Sequence, residues 1–181
     1  MSFYEEAPSH DKVLLNFAKL DFNVLQKSYQ KEVGIATKWW KKLELAIKVP
    51  YGRERIAELY FFPYAMNSEP KYSTFRGLLT KVSEWMTIVD DSYDVYGTIE
   101  ELELLTQAIQ RSDISYVASL PECYKAIFSA LVELYDEIIE LSAVTDEKSN
   151  VVLQFVNQAL SHYIQGYMVE AKWYQESFIP T

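Results

Sequence analysis

Apolar residues recur at helical spacing along this chain, and no stretch alternates in the manner of a strand. Val13 to about Leu45 is strongly helical in propensity, broken only by Gly34, and the pattern ends near Val49-Pro50. "RERIAELYFFPYAM" predicts a second helix, in which Pro63 forces a kink or an early end because it lacks an N–H and crowds the preceding turn. "NSEP" reads as a turn that leaves Pro70 at the first position of the next helix. There Phe75, Leu78, Leu79, Val82, Met86, Val89 and Tyr93 recur with a period near 3.6, and Gly97 stops the run. Thr98 and Glu101 form a capping box, which starts a helix facing inward through Leu102, Leu105 and Ile109. After a loop from Asp113 to Leu120, Pro121 opens a helix striped by Tyr124, Ile127, Phe128, Leu131, Tyr135 and Ile138. The last helix runs from about Asp146 to Ser177, with Val152, Phe155, Ala159, Tyr163 and Tyr167 on one side. The expected fold class is all-α, as a single domain without linker or internal repeat.

One segment departs from this amphipathic scheme. "TIVDDSYDVYGT", Thr87 to Thr98, places Asp90, Asp91 and Asp94 at the end of an apolar helix. At 100° per residue, Ser83, Thr87, Asp90 and Asp94 share a stripe beside the apolar one, whereas Asp91 points away from Asp90. Carboxylates four residues apart repel by roughly 0.2–0.5 kcal/mol, and anions in a last turn oppose the helix dipole by about 0.3–1 kcal/mol each. Cations relieve both penalties. Hard oxygen ligands with room for water suit magnesium, which takes one or two carboxylates together with phosphate oxygens. An EF-hand is excluded, since the alternating ligands and central glycine of that loop are missing. On spacing alone, half a metal–phosphate site competes with a solvated helix end.

Charge and composition narrow the partners. The formal charge of −9 argues against nucleic acid or an anionic membrane as a general partner. No run of about 20 apolar residues is present to span a bilayer. Cys123 is the only cysteine, so no internal disulfide forms, and it reads as a buried structural thiol. His10 and His162 sit in no ligand motif, and His162 reads as a helix-packing residue.

With its neighbours the acidic motif becomes specific. "VDDSYDVYGTIEELELLTQAIQR" resembles the first metal-binding motif of the plant class I terpene synthases. "FAKLDFNVLQ", "KEVGIATKWWKKL", "YGRERIAELYFF", "EPKYS", "DISYVASLPE" and "MVEAKWYQESFIPT" agree in order, so the resemblance covers almost the whole chain. It implies the first half of the catalytic, metal-binding domain of an α-helical prenyl diphosphate lyase. "EPKYS" and "RER" lean to the sesquiterpene branch, hence to farnesyl diphosphate in the cytosol. A monoterpene synthase using geranyl diphosphate, in a plastid, is the close alternative.

Carried over residue by residue, the resemblance implies Asp90, Asp91 and Asp94 as the metal motif for magnesium, with manganese as a substitute. Asp90 and Asp94 are the direct ligands, and Asp91 supports them. Arg53 and Arg55 match an Arg-x-Arg pair that steadies the departing diphosphate. Without the resemblance, Arg55 reads as a surface partner of Glu58. Phe62 matches a pocket aromatic whose π face stabilises a carbocation, although Pro63 next to it threatens that placement. Ser83 and Thr87 match pocket-lining positions.

The family's second metal motif does not occur. "TDEKSNVVL" from Thr145 resembles it only loosely, with Thr145 and Leu153 in place of its leading and closing residues. The expectation is therefore a truncated domain that is inactive alone and self-associates through uncovered faces. The contrasting expectation is a non-catalytic helical truncation product that associates with other chains.

Overall fold

The computed structural model describes residues 2–111, 114–144 and 149–179. Every regular element among them is helical, as the hydrophobic spacing predicts. A short α1 (Ser2–Glu6) precedes the long α2 (Lys12–Leu43). Asp11 caps α2, its carboxylate accepting from the backbone N–H groups of Val13 and Leu14 at 2.8 and 3.2 Å. Gly34 does not break α2. The helix ends ten residues later, where Glu44 adopts a left-handed φ of 54°, and α3 (Leu45–Lys48) follows.

Pro63 acts as its chemistry requires. The segment "IAELYFFPYAM" is split at Tyr60 into α4 (Ile56–Leu59) and α5 (Phe61–Met66), which places Pro63 in the first turn of α5. Pro70 starts a single 3₁₀ turn that leads into α6 (Ser73–Asp91). The capping box is formed: Thr98 N–H donates to Glu101 Oε2 at 3.1 Å, and Glu101 N–H donates back to Thr98 Oγ1 at 3.3 Å. It opens α7 (Ile99–Arg111). After a 3₁₀ segment over Ile114–Ser119, α8 (Glu122–Val144) and α9 (Ser149–Glu176) complete the bundle. The expected helix start near Asp146 and the first four residues of "TDEKSNVVL" lie outside the described residues.

Helix α6 is the centre of the bundle, packing against α2, α4, α5 and α8. Trp85, Ile88 and Val89 are buried there with Trp40, Ile127 and Leu131, and Trp85 Nε1 donates to the Ile127 carbonyl at 2.9 Å. Burying such side chains is worth roughly 1.5–3 kcal/mol each, several times the repulsion between carboxylates four residues apart. Apolar packing therefore fixes α6 up to the aspartates.

Two buried faces differ from the sequence reading. The deepest face of α6 carries Arg76, Thr80 and Glu84 beside Trp85 and Ile88, while Leu78, Leu79, Val82 and Met86 are half-buried and Phe75 is exposed. Polar residues can occupy that face because they are partnered. Arg76, fully buried, donates to Glu32 Oε1 and Oε2 at 2.7 and 2.8 Å and to the Asn67 and Glu69 carbonyls at 2.7 Å each. On α9 the buried stripe is Leu160, Ile164, Met168 and Ala171, and Phe155 and Ala159 of the expected stripe are exposed. That helix is apolar on several sides, so periodicity alone does not select the inner one. Cys123 is half-buried rather than buried, and His162 is exposed rather than packed.

Candidate metal and diphosphate site

The aspartates sit where α6 changes its winding. From Ser92 to Tyr96 the chain forms a π turn, closed by Gly97 N–H donating to the Ser92 carbonyl at 3.0 Å. Such widened turns are uncommon and collect at functional sites. The 100° step that placed Asp90 and Asp94 on one stripe therefore holds only as far as Asp91. Asp90 is partly exposed and Asp94 more so, while Asp91 turns inward and its side chain is 5% exposed. Burial, and next the neighbouring Asp90, push the Asp94 carboxyl above the usual carboxylate range.

Opposite these acids lies the loop between α3 and α4, which carries both arginines. It runs close to α6, since a Cβ on Gly52 would lie 3.2 Å from Ile88 Cγ1. Asp91 holds the loop twice: its Oδ2 accepts from the Arg53 backbone N–H at 2.9 Å, and its Oδ1 accepts from Arg53 Nε at 2.6 Å. The guanidinium also pairs with Asp90 Oδ2 at 3.4 Å. The hydrogen bond that Arg53 donates to Asp91, and the charges of Asp91 and Asp90, hold the Arg53 pKa above its ordinary value. Asp91 thus anchors the arginine loop, and Asp90 keeps a less committed carboxylate.

Arg55 is arranged differently. Its backbone N–H is held by Glu84, with Oε1 and Oε2 at 3.0 and 3.1 Å, while its side chain lies 3.7 Å from Glu58 on the surface. The guanidinium therefore makes the surface pair that its spacing alone suggests. Glu84 was not singled out in the sequence, where a lone Glu inside a helix looks like any solvated residue. Its position on the α6 face shared with Arg76 and Thr80 is the only signal that could have found it.

Ser83, Thr87 and Asp90 line one cavity of about 240 Å³, together with Met86 of α6 and Tyr163 and Tyr167 of α9. Tyr163 Oη lies 3.0 Å from Tyr167 Oη and 3.2 Å from the Met86 carbonyl. Tyr167 is close enough to Asp90 that its phenol is raised by burial first, and then by Tyr163 and Asp90. Phe62 is not among the lining residues and is 65% exposed. The two α9 tyrosines were read from the sequence as packing residues only.

The donor set suits a hard divalent cation shared with a phosphate. Asp90 and Asp94 leave open coordination for water and phosphate oxygens, the pattern magnesium favours. A cage built from protein alone is not formed, as no group of three potential ligands converges among the described residues.

Comparison with known proteins agrees with this chemistry. Residues 41–181 match the model for the terpene synthase family, metal binding domain. Terpene synthase 17 of Solanum lycopersicum is 45% identical over 181 residues, covering 100% of this chain and 32% of the relative. The (-)-germacrene D synthase of Vitis vinifera is 44% identical over 180 residues, covering 99% of this chain and 32% of the relative. Isoprene synthase from grey poplar, solved with three Mg2+ ions and dimethylallyl-S-thiolodiphosphate, superimposes with a TM-score of 0.90 at 33% identity, over 98% of this chain and 34% of that one. The chain thus spans about a third of the length of the curated relatives it matches. Fold, motif and family model converge, and the chain belongs to the terpene synthase family, in the part of it that forms the metal-binding domain.

Proposed function

We propose that this chain forms one wall of a magnesium-dependent ionisation site for a prenyl diphosphate, farnesyl diphosphate in the whole protein, which cyclises it to a sesquiterpene. The observation that carries the reading is the meeting of Arg53 with Asp91 and with Asp90, which itself lines a hydroxyl-bearing cavity. Similarity to a (-)-germacrene D synthase favours the sesquiterpene branch, and the farnesyl substrate and a cytosolic setting are proposed with that branch.

Each residue has a physical part. Asp90 and Asp94 hold the metal, for which manganese is a substitute. Arg53 offsets charge on the departing diphosphate, with Arg55 free to swing from Glu58, a surface pair worth about 0–1 kcal/mol. Asp91 keeps the Arg53 loop against α6. Magnesium, when bound, supplies Lewis-acid stabilisation of the leaving group. Ser83 and Thr87 line the cavity beside Asp90, whereas Phe62, exposed and outside the lining, has no part in it here.

Titration of the purified chain with magnesium and inorganic pyrophosphate, followed by calorimetry, tests this reading. Binding that requires magnesium and disappears in Asp90→Ala is expected, without turnover of farnesyl diphosphate by the isolated chain. Binding indifferent to Asp90→Ala overturns it. Competition by thio-analogues of farnesyl and geranyl diphosphate separates the two substrates.

A second reading, self-association without catalysis, is favoured by the outer face of α2. Val13, Phe17, Leu20 and Val24 follow one another at helical spacing and are 66–79% exposed. Sedimentation velocity decides: a monomer at all concentrations removes this reading.

A further inference from the structure

Glu84 is the least expected group near the site. It is completely buried, six residues before Asp90 on the same helix, and makes no ion pair among the described residues. Burial pushes its carboxyl up to about 7, opposed by the Arg55 N–H and reinforced by Glu54 and Asp91. A buried carboxylate without a paired cation costs stability, and strain of that kind gathers at functional sites.

Its geometry gives the reason for keeping it. Both carboxylate oxygens face one donor, the Arg55 N–H, at 3.0 and 3.1 Å. Seven residues further along α6, Asp91 takes the Arg53 N–H at 2.9 Å. Two turns of one helix therefore bind two backbone donors of one loop, and the residue between them is Glu54. The helix that carries the metal motif also fixes the path of the Arg53–Arg55 segment.

We infer that Glu84 is a positioning residue for the diphosphate site: by holding the Arg55 backbone it aims the Arg55 side chain, as Asp91 does for Arg53. Among the described residues the Arg55 guanidinium pairs only with the exposed Glu58, so the backbone anchor at Glu84 fixes the point from which the side chain extends. The inference rests on the diphosphate reading above, but one arm of its test does not.

The first arm is amide hydrogen exchange in the full chain, read by NMR for Glu84→Ala and Glu84→Gln. The Arg55 amide exchanges about tenfold faster in Glu84→Ala and by a smaller factor in Glu84→Gln, while the Arg53 amide keeps its rate. The second arm is magnesium-dependent pyrophosphate binding. Glu84→Gln weakens it about threefold or more in the wild-type background and leaves it unchanged in Arg55→Ala. Should Glu84→Ala not fold, Glu84→Gln carries both arms. An unaltered Arg55 amide, or equal weakening in both backgrounds, overturns the role of Glu84. Absence of any pyrophosphate binding by the wild-type chain overturns the diphosphate reading instead, and the exchange arm still decides whether Glu84 holds Arg55.

Discussion

A Cβ placed on Gly97 would lie 2.5 Å from the hydroxyl oxygen of Tyr124 and 2.5 Å from Leu102 Cδ2. The φ of Gly97 is −93°, so this position needs glycine for room and not for a left-handed backbone. Leu102 and Tyr124 are both buried, so neither can swing aside freely. Gly97→Ala is expected to destabilise the chain by about 1–3 kcal/mol. Urea unfolding checks this, and Tyr124→Phe in the same chain should recover part of the loss.

Arg76 and Glu32 form a buried pair, with side chains 0% and 10% exposed. Breaking such a pair by removing one partner costs about 3–5 kcal/mol, because a bare charge stays inside. Arg76→Met and Glu32→Leu should each show that loss in chemical denaturation. The double variant should regain only part of it, because the two bonds from Arg76 to the Asn67 and Glu69 carbonyls are lost with the arginine. Full recovery would mean that those carbonyl bonds contribute nothing.

How far the sequence reaches is visible in these residues. The helices, the capping box at Thr98 and the break before Pro63 are local features, and local chemistry predicts them. The Arg76–Glu32 pair joins residues 44 positions apart, and Glu84 meets Arg55 across 29. No helical period encodes which charged side chain turns inward, because its partner lies on another element. On α9, which is apolar on several sides, the same limit made the wrong stripe look like the inner one. Within the site, Asp90, Asp91 and Arg53 were legible through the family motif. The π turn over Ser92–Tyr96 was not, since the hydrophobic period carries no sign of a local change in winding.

Adjacent aspartates should fail in different ways. Asp91, buried, accepts from both the backbone and Nε of Arg53, so Asp91→Asn removes a charge-assisted anchor and costs about 1–3 kcal/mol of stability. Asp90 is 28% exposed on its side chain and meets Arg53 only at 3.4 Å. Asp90→Asn should leave stability within about 0.5 kcal/mol while abolishing magnesium-dependent pyrophosphate binding. Thermal melts and calorimetry on the two variants, side by side, expose the difference, and a matched loss of stability in both would contradict it.

Glu84 ties stability to pH with a definite sign. Its carboxyl titrates near 7 in the folded chain against an ordinary value of 4.5, so the native state holds a proton that the unfolded state releases. The stability that this proton confers is fully present below pH 4.5 and is lost as pH rises through 7, about 3 kcal/mol in all. Glu84→Gln keeps an acceptor for the Arg55 N–H and never ionises. Near pH 5 the two proteins should therefore be within about 1 kcal/mol, whereas at pH 8 the Gln variant should be the more stable by about 1–3 kcal/mol. Every other titrating group is common to both chains and cancels in the comparison. A gap that stays constant from pH 5 to 8 would show that Glu84 is ionised throughout. A gap that widens, accompanied by a faster Arg55 amide, would mean that this carboxylate destabilises the bundle at neutral pH while it fixes the arginine loop.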